Sequence, residues 1–345
     1  MRTLTLTLRE LNRATLARQL LLRRRRLSPA TAIERLAGMQ AQWAPAPYVG
    51  LWSRVEEFRR ETLERAILRG AVLKPTVMRG TLHLVTARDY PVFHAALRDF
   101  RWWSSPEATP LGEAAAPAIR RLFSEEPLPA AAALEHLAQA HGAADEVIRR
   151  RAWYVARVAG HVLHAPETAL WKLAPRTRFV AVPEPPAVEV TAARAELVRR
   201  YLAAFGPATR ADISAWSGMP VRDFASALEL LEPLRRFHDE QGRELLDVPR
   251  APLPPADTPA PVRYLPKFDN LLLSFADRTR VLPDELRGTM IQGGDVLQTF
   301  LVDGVVAGSW KVERGRVALD PLGSLRRTAR RELEDEGRRL AEFVR

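Results

Sequence analysis

Apolar residues recur at helical spacing along most of the chain and change to strict alternation only in short runs. Leu11, Leu16, Leu20 and Leu21 fall on one face of residues 9–22 and predict a first helix. Ser28-Pro29 opens a second, because serine caps a helix start and proline is tolerated at the first helical position. Ile33 and Leu36 carry its apolar face to about Gly38. Residues 61–69 form a third helix, closed by Gly70. Strand-like runs at 72–78 and 81–85 follow, with Arg79-Gly80 between them, and a helix over 86–100 ends the unit.

Three helices followed by a hairpin is the winged-helix order, and that order recurs. Helices at 113–123, 129–140 and 145–159 precede strands at 161–165, 170–172 and 178–182. Helices at 191–205, 209–216 and 221–231 precede strands at 236–239 and 243–248, joined by a turn at Gln241-Gly242. Ser28-Pro29-Ala30, Leu128-Pro129-Ala130 and Gly206-Pro207-Ala208 each open the second helix of their unit, a repeat that ordinary helix-start chemistry also produces. Residues 104–112 and the six-proline stretch 249–261 read as linkers. Beyond them strands are expected at 265–281, 299–312 and 317–319, with a hairpin turn at Asp303-Gly304 and an amphipathic helix over 325–344. The expected fold class is mainly α with β hairpins. Three tandem winged-helix domains span 1–105, 106–187 and 188–255, and a β-rich domain with a terminal helix spans 256–345.

Composition sharpens this. The chain has no cysteine, which excludes disulfides, thiolate metal sites and a cysteine nucleophile. No apolar run approaches the roughly 20 residues that span a bilayer, and residues 1–10 lack the apolar stretch of a signal peptide. A soluble cytoplasmic protein, nucleoid-associated in a bacterium, is expected, with no membrane partner. The net charge of +11 is unevenly placed: residues 1–105 hold 19 Lys+Arg and 8 Asp+Glu, whereas residues 106–345 hold 33 of each. A local basic field of this kind suits a phosphate backbone, and it is also what a solvated basic face looks like.

The usual signs of a hydrolase are missing. The seven histidines show no metal spacing, and His161 and His164 read as structural or surface residues. No phosphate-binding glycine loop is present, and neither a metal nor a cofactor is expected. The run Arg23, Arg24, Arg25, Arg26 reads either as a phosphate clamp at the end of the first helix or as a solvated helix end that complements the helix dipole. Gln40 and Gln42 flank a small residue where the second helix should end, followed by Trp43 and a run of prolines and aromatics. Two amides on one side of an irregular backbone could bind a ligand, or could satisfy stray backbone groups at a helix terminus.

Gln40-Ala41-Gln42 with Tyr48-Val49-Gly50-Leu51-Trp52, then Met78-Arg79-Gly80-Thr81-Leu82-His83-Leu84-Val85, then Leu265-Pro266-Lys267-Phe268-Asp269-Asn270-Leu271-Leu272-Leu273 with Asp277-Arg278, resembles the AlkZ/YcaQ family of winged-helix DNA glycosylases. The resemblance covers about residues 8–320, and the three blocks in this order are specific. It implies three tandem winged-helix domains, a C-terminal β-barrel and excision of N-alkylated purines, including the unhooking of interstrand crosslinks. The family's catalytic pattern is glutamine, an aliphatic residue, then glutamine in the AlkZ branch or aspartate in the YcaQ branch. It falls here on Gln40, Ala41 and Gln42, with alanine at the small end of the middle position.

Two amides fit that chemistry. N7-alkylguanine is cationic and leaves as a neutral base, so it needs little acid help, and the positive charge of the transition state falls on the sugar. An amide oxygen can orient a water and offer partial negative charge, but cannot act as a base. The motif holds no lysine for a Schiff base, so a monofunctional enzyme without lyase activity is expected, with Lys74 the one residue that could upset this. Arg79 and His83, at the tip and exit of the first hairpin, are candidate DNA contacts beside Trp43, Lys74 and the four arginines. The expected partner is double-stranded DNA with alkylated or crosslinked purines, and the expected state is a monomer. Two rivals stand beside this reading: a non-enzymatic winged-helix DNA-binding protein or transcription regulator, and a family member whose activity is lost or shifted.

Overall fold

A computed structural model describes residues 4–100, 102–141, 145–172, 176–231 and 233–345. The Thr7 hydroxyl accepts from the Glu10 backbone and the Glu10 carboxylate reaches back to Thr7, a capping box that opens the helix Leu8–Arg18. Leu20 then takes a left-handed backbone (φ 58°), and the Leu21 N–H closes back on the Leu16 carbonyl at 2.8 Å. The first helix therefore stops short of the expected end, and the four arginines lie beyond it in an irregular segment that bridges to Val55.

The chain next forms the helix Pro29–Arg35, the strand Met39–Gln40, and the helices Ala46–Trp52 and Arg60–Leu68. The helix Ala46–Trp52 was not expected from the proline-rich sequence. Pro45 and Pro47 stand at its very start, where a missing N–H costs nothing. Strands Val72–Leu73 and His83–Thr86 follow, shorter than expected and separated by a tight 3-10 turn at Met78–Gly80. His83–Thr86 is the middle strand of three, with Met39–Gln40 on one side and Val72–Leu73 on the other. The helix Tyr90–Leu97 completes this part.

Helices Ala108–Glu125, Ala130–His141 and Glu146–Ala159 precede the paired strands Val162–His164 and Phe179–Ala181. The expected linker at 104–112 is half helix, because Pro110 sits in the first turn, where proline is tolerated. The expected strand at 170–172 is irregular. Helices Val190–Phe205, Arg210–Ser217 and Val221–Glu229 precede the hairpin strands Arg235–Asp239 and Glu244–Asp247. Strand Thr5–Leu6 joins that hairpin as a parallel third strand. The largest core crosses between distant parts of the chain: Tyr90 and Phe93 are buried with Val198, Tyr201, Phe205 and Trp216. Each such side chain contributes roughly 1.5–3 kcal/mol by leaving water.

The C-terminal part corrects two expectations. Residues 265–281 are not one strand: Arg263–Leu265 is a strand, and Asn270–Leu273 is a short helix capped by the Asp269 carboxylate. There is no closed barrel among the described residues. The strands Arg316–Pro321, Val305–Glu313, Thr299–Val302 and Arg263–Leu265 make an open antiparallel sheet in that order, backed by the helix Arg327–Val344. An unexpected helix, Asp284–Met290, leads into a small separate hairpin. The turn at Asp303-Gly304 forms as the sequence indicates, with φ of 48° and 83°. Its tip docks on the first helix, where Asn12 Nδ2 donates to the Gly304 carbonyl at 2.9 Å and Arg13 pairs with Asp303. No described helix is long and apolar enough to cross a membrane.

Candidate functional site

Gln40 ends its strand directly opposite His83, so the two side chains share a face of the ladder. One residue on, the ladder changes. The Ala41 N–H still reaches the Leu82 carbonyl at 2.7 Å, but the Leu82 N–H is taken by Gln42 Oε1 at 3.1 Å. The Gln42 side chain thus stands in for the strand's own carbonyl and ends the pairing. Gln40 is buried and Gln42 exposed, so the pair runs from the interior to the surface.

Gln40 is fixed at both ends. Its Oε1 accepts from Arg79 at 2.9 Å, and its backbone N–H donates to Asn270 Oδ1 at 3.3 Å. Asn270 Nδ2 in turn donates to the Gly38 carbonyl at 3.0 Å. Asn270 is held by the short helix that Asp269 caps, and the Asp269 carboxylate receives Arg54 in a buried two-pronged pair at 2.8 and 3.0 Å. A small cavity beside Gln40, lined also by Met39, Phe268, Asp269, Asn270 and Arg54, leaves about 10 Å3 for the centre of a water, close to what one ordered water needs.

Arg79 occupies a left-handed position (φ 55°) in the Met78–Gly80 turn and also donates to the Trp216 carbonyl. Burial, together with the nearby Arg278, pulls its guanidinium down to about 10, so it stays cationic at neutral pH. His83 is fully buried rather than exposed at a hairpin exit. Its Nδ1 lies 3.1 Å from the Thr81 carbonyl and must donate there, which leaves Nε2 as a bare acceptor without a hydrogen-bond partner. Burial and the Arg79 charge hold the imidazole neutral, with its pKa pulled down to about 3. Lys74 is buried as well, and loss of water pulls its pKa down to about 8. Trp43 is half-buried next to Gln42.

The arginine run divides. Arg23, Arg25 and Arg26 are exposed and line an open cleft with Arg35 and Arg199. Arg24 turns inward: it pairs with Glu336, lies over the Trp52 ring at 4.7 Å and donates to the Trp52 carbonyl at 3.0 Å. No local sequence signal marks the surroundings of Gln40. Asn270, its backbone partner, and Arg278, whose charge acts on Arg79, lie in motif blocks without an assigned role, and Trp102 and Trp103, which pack against Gly80, belong to no motif. Among the described residues no cluster of histidines and carboxylates could hold a metal.

The model of a protein family described as DNA glycosylase AlkZ-like matches residues 33–343. Among solved structures, Streptomyces sahachiroi DNA glycosylase AlkZ is similar with a TM-score of 0.80 over 99% of this chain and 97% of that one, at 19% identity. That likeness shows a shared fold. No curated protein matches this chain in sequence.

Proposed function

The chain belongs to the AlkZ-like family of DNA glycosylases, and from that premise we propose that it is a monofunctional glycosylase that hydrolyses the N-glycosidic bond of N7-alkylguanine in duplex DNA, interstrand crosslinks included. The observation that carries this reading is Gln40: a buried amide anchored by Arg79 through its oxygen and by Asn270 through its backbone, beside space for a single water. Each amide oxygen has two lone pairs. Arg79 uses one on Gln40 and the Leu82 N–H uses one on Gln42, so one remains on each for a water aimed at the sugar carbon.

The Arg79 bond also draws charge from the Gln40 oxygen. Gln40 is therefore better suited to orienting a water than to facing a cationic sugar, and its contribution is positioning. Exposed Gln42 is the residue closer to incoming DNA. The winged-helix division at 1–105, 106–187 and 188–255, with a β-rich part at 256–345 and a monomeric state, belongs to the same proposal. It is supported by the observed order of three helices and a hairpin at residues 190–247.

The test is single-turnover excision from a duplex with one N7-methylguanine, comparing wild type with the Gln40→Ala, Gln42→Ala double variant. Abasic sites from wild type alone are expected. Borohydride should trap no protein–DNA adduct. A trapped adduct lost in Lys74→Met would replace the monofunctional mechanism with an imine at this buried lysine. Duplex binding without excision would leave a DNA-binding protein.

A further inference from the structure

Trp103 is the one aromatic among the large exposed apolar side chains of the described residues, with 57% of its surface in water. It is nonetheless held firmly. Its Nε1–H donates to the Gly80 carbonyl at 2.7 Å. Trp102 beside it lies between Gly80 and Gly218 and against Phe100, with ring centres 5.7 Å apart. Both glycines have left-handed backbones, and both make room for an indole. A Cβ at Gly80 would stand 2.5 Å from the Trp103 nitrogen, and one at Gly218 would stand 3.0 Å from the Trp102 ring. An indole whose only donor is already used offers nothing but flat apolar faces, and those suit stacking on another ring rather than a polar partner.

The place is as telling as the geometry. Gly80 follows Arg79, the residue that donates to Gln40 Oε1. Arg79 and Arg278 add positive charge to the same corner, which favours a polyanion. Trp103 therefore stands one residue removed from the anchor of the proposed water-positioning amide.

We propose that Trp103 is a DNA-contacting residue that stacks on a nucleobase beside the lesion and so fixes the register of the duplex against Gln40. The proposal rests on the assignment of Gln40 above. Base–aromatic stacking tolerates any sequence, because every base has a π-face, which suits an enzyme that must work wherever damage falls.

The experiment uses the full chain as wild type, Trp103→Ala and Trp103→Phe, on a labelled undamaged duplex and on one carrying a tetrahydrofuran abasic analogue. Binding is read by anisotropy and by tryptophan fluorescence, and folding by circular dichroism. Trp103→Ala should bind about 10-fold more weakly, the loss of one stacked base, and Trp103→Phe should fall between. DNA should quench wild-type fluorescence, and most of that quenching should vanish in both variants. Equal affinity and unchanged quenching in Trp103→Ala would overturn the proposal. These readouts need no excision. A wild type that binds and quenches but never cuts would remove the glycosylase reading and leave the stack. Normal excision with unaltered Trp103→Ala binding would remove the stack alone.

Discussion

A glutamine amide brings almost no acid–base chemistry to a reaction, so its value at a site depends on how rigidly it is held. Gln40 and Gln42 are legible as a pair in the sequence because they are two apart and flank a small residue. Asn270 is not, because it meets Gln40 across 230 residues of chain. Its two bonds, to the Gln40 N–H and the Gly38 carbonyl, fix the backbone that carries the amide. Asn270→Ala is expected to slow single-turnover excision by about 10- to 100-fold, the effect of a small misplacement, with duplex affinity within about twofold of wild type. Asn270→Asp keeps the acceptor for Gln40 and loses the donor to Gly38, so its rate should lie between. A loss of affinity equal to the loss of rate would show a damaged fold rather than a displaced amide.

At the scale of elements, the site is a junction of short pieces. The strand Met39–Gln40, the helix Ala46–Trp52 and the helix Asn270–Leu273 are held together by Arg54 and Asp269, both buried. Removing one member of a buried pair leaves the other charge stranded, at a cost of about 3–5 kcal/mol. Arg54→Met and Asp269→Ala should each lower the denaturant midpoint accordingly, and the double replacement Arg54→Met with Asp269→Leu should recover part of the loss. Full additivity would show that the two residues act separately. These elements were also the hardest to read. Prolines at 45, 47 and 110 look like breakers in sequence, yet Pro45 is a helix cap and Pro47 and Pro110 stand in first turns. Leu271, Leu272 and Leu273 form an apolar run too short for periodicity to choose between strand and helix.

At the scale of the whole molecule, the excess positive charge of residues 1–105 serves two ends. Arg23, Arg25 and Arg26 face an open basic cleft, whereas Arg24 ties the N-terminal part to the C-terminal helix through Glu336. Replacing Arg23, Arg25 and Arg26 with alanine should reduce the slope of log affinity against log salt by about 2–3, roughly one unit for each phosphate that is no longer neutralised, with little change in thermal midpoint. Arg24→Ala should do the reverse, lowering the midpoint and leaving the slope. An unchanged slope in the triple variant would move the DNA path away from this cleft.

The sequence by itself determined much of the succession of helices and hairpins, the Asp303-Gly304 turn, the glutamine pair and the basic first third, because each rests on neighbours within one or two turns of chain. Only the tertiary structure decided which of the four arginines turns inward, that His83 and Lys74 lie inside, that the C-terminal sheet stays open, and that Arg79 and Asn270 meet at Gln40 with Trp103 on the adjoining Gly80. Those outcomes depend on packing between segments far apart in sequence, where burial and the pairing of buried polar groups override local pattern.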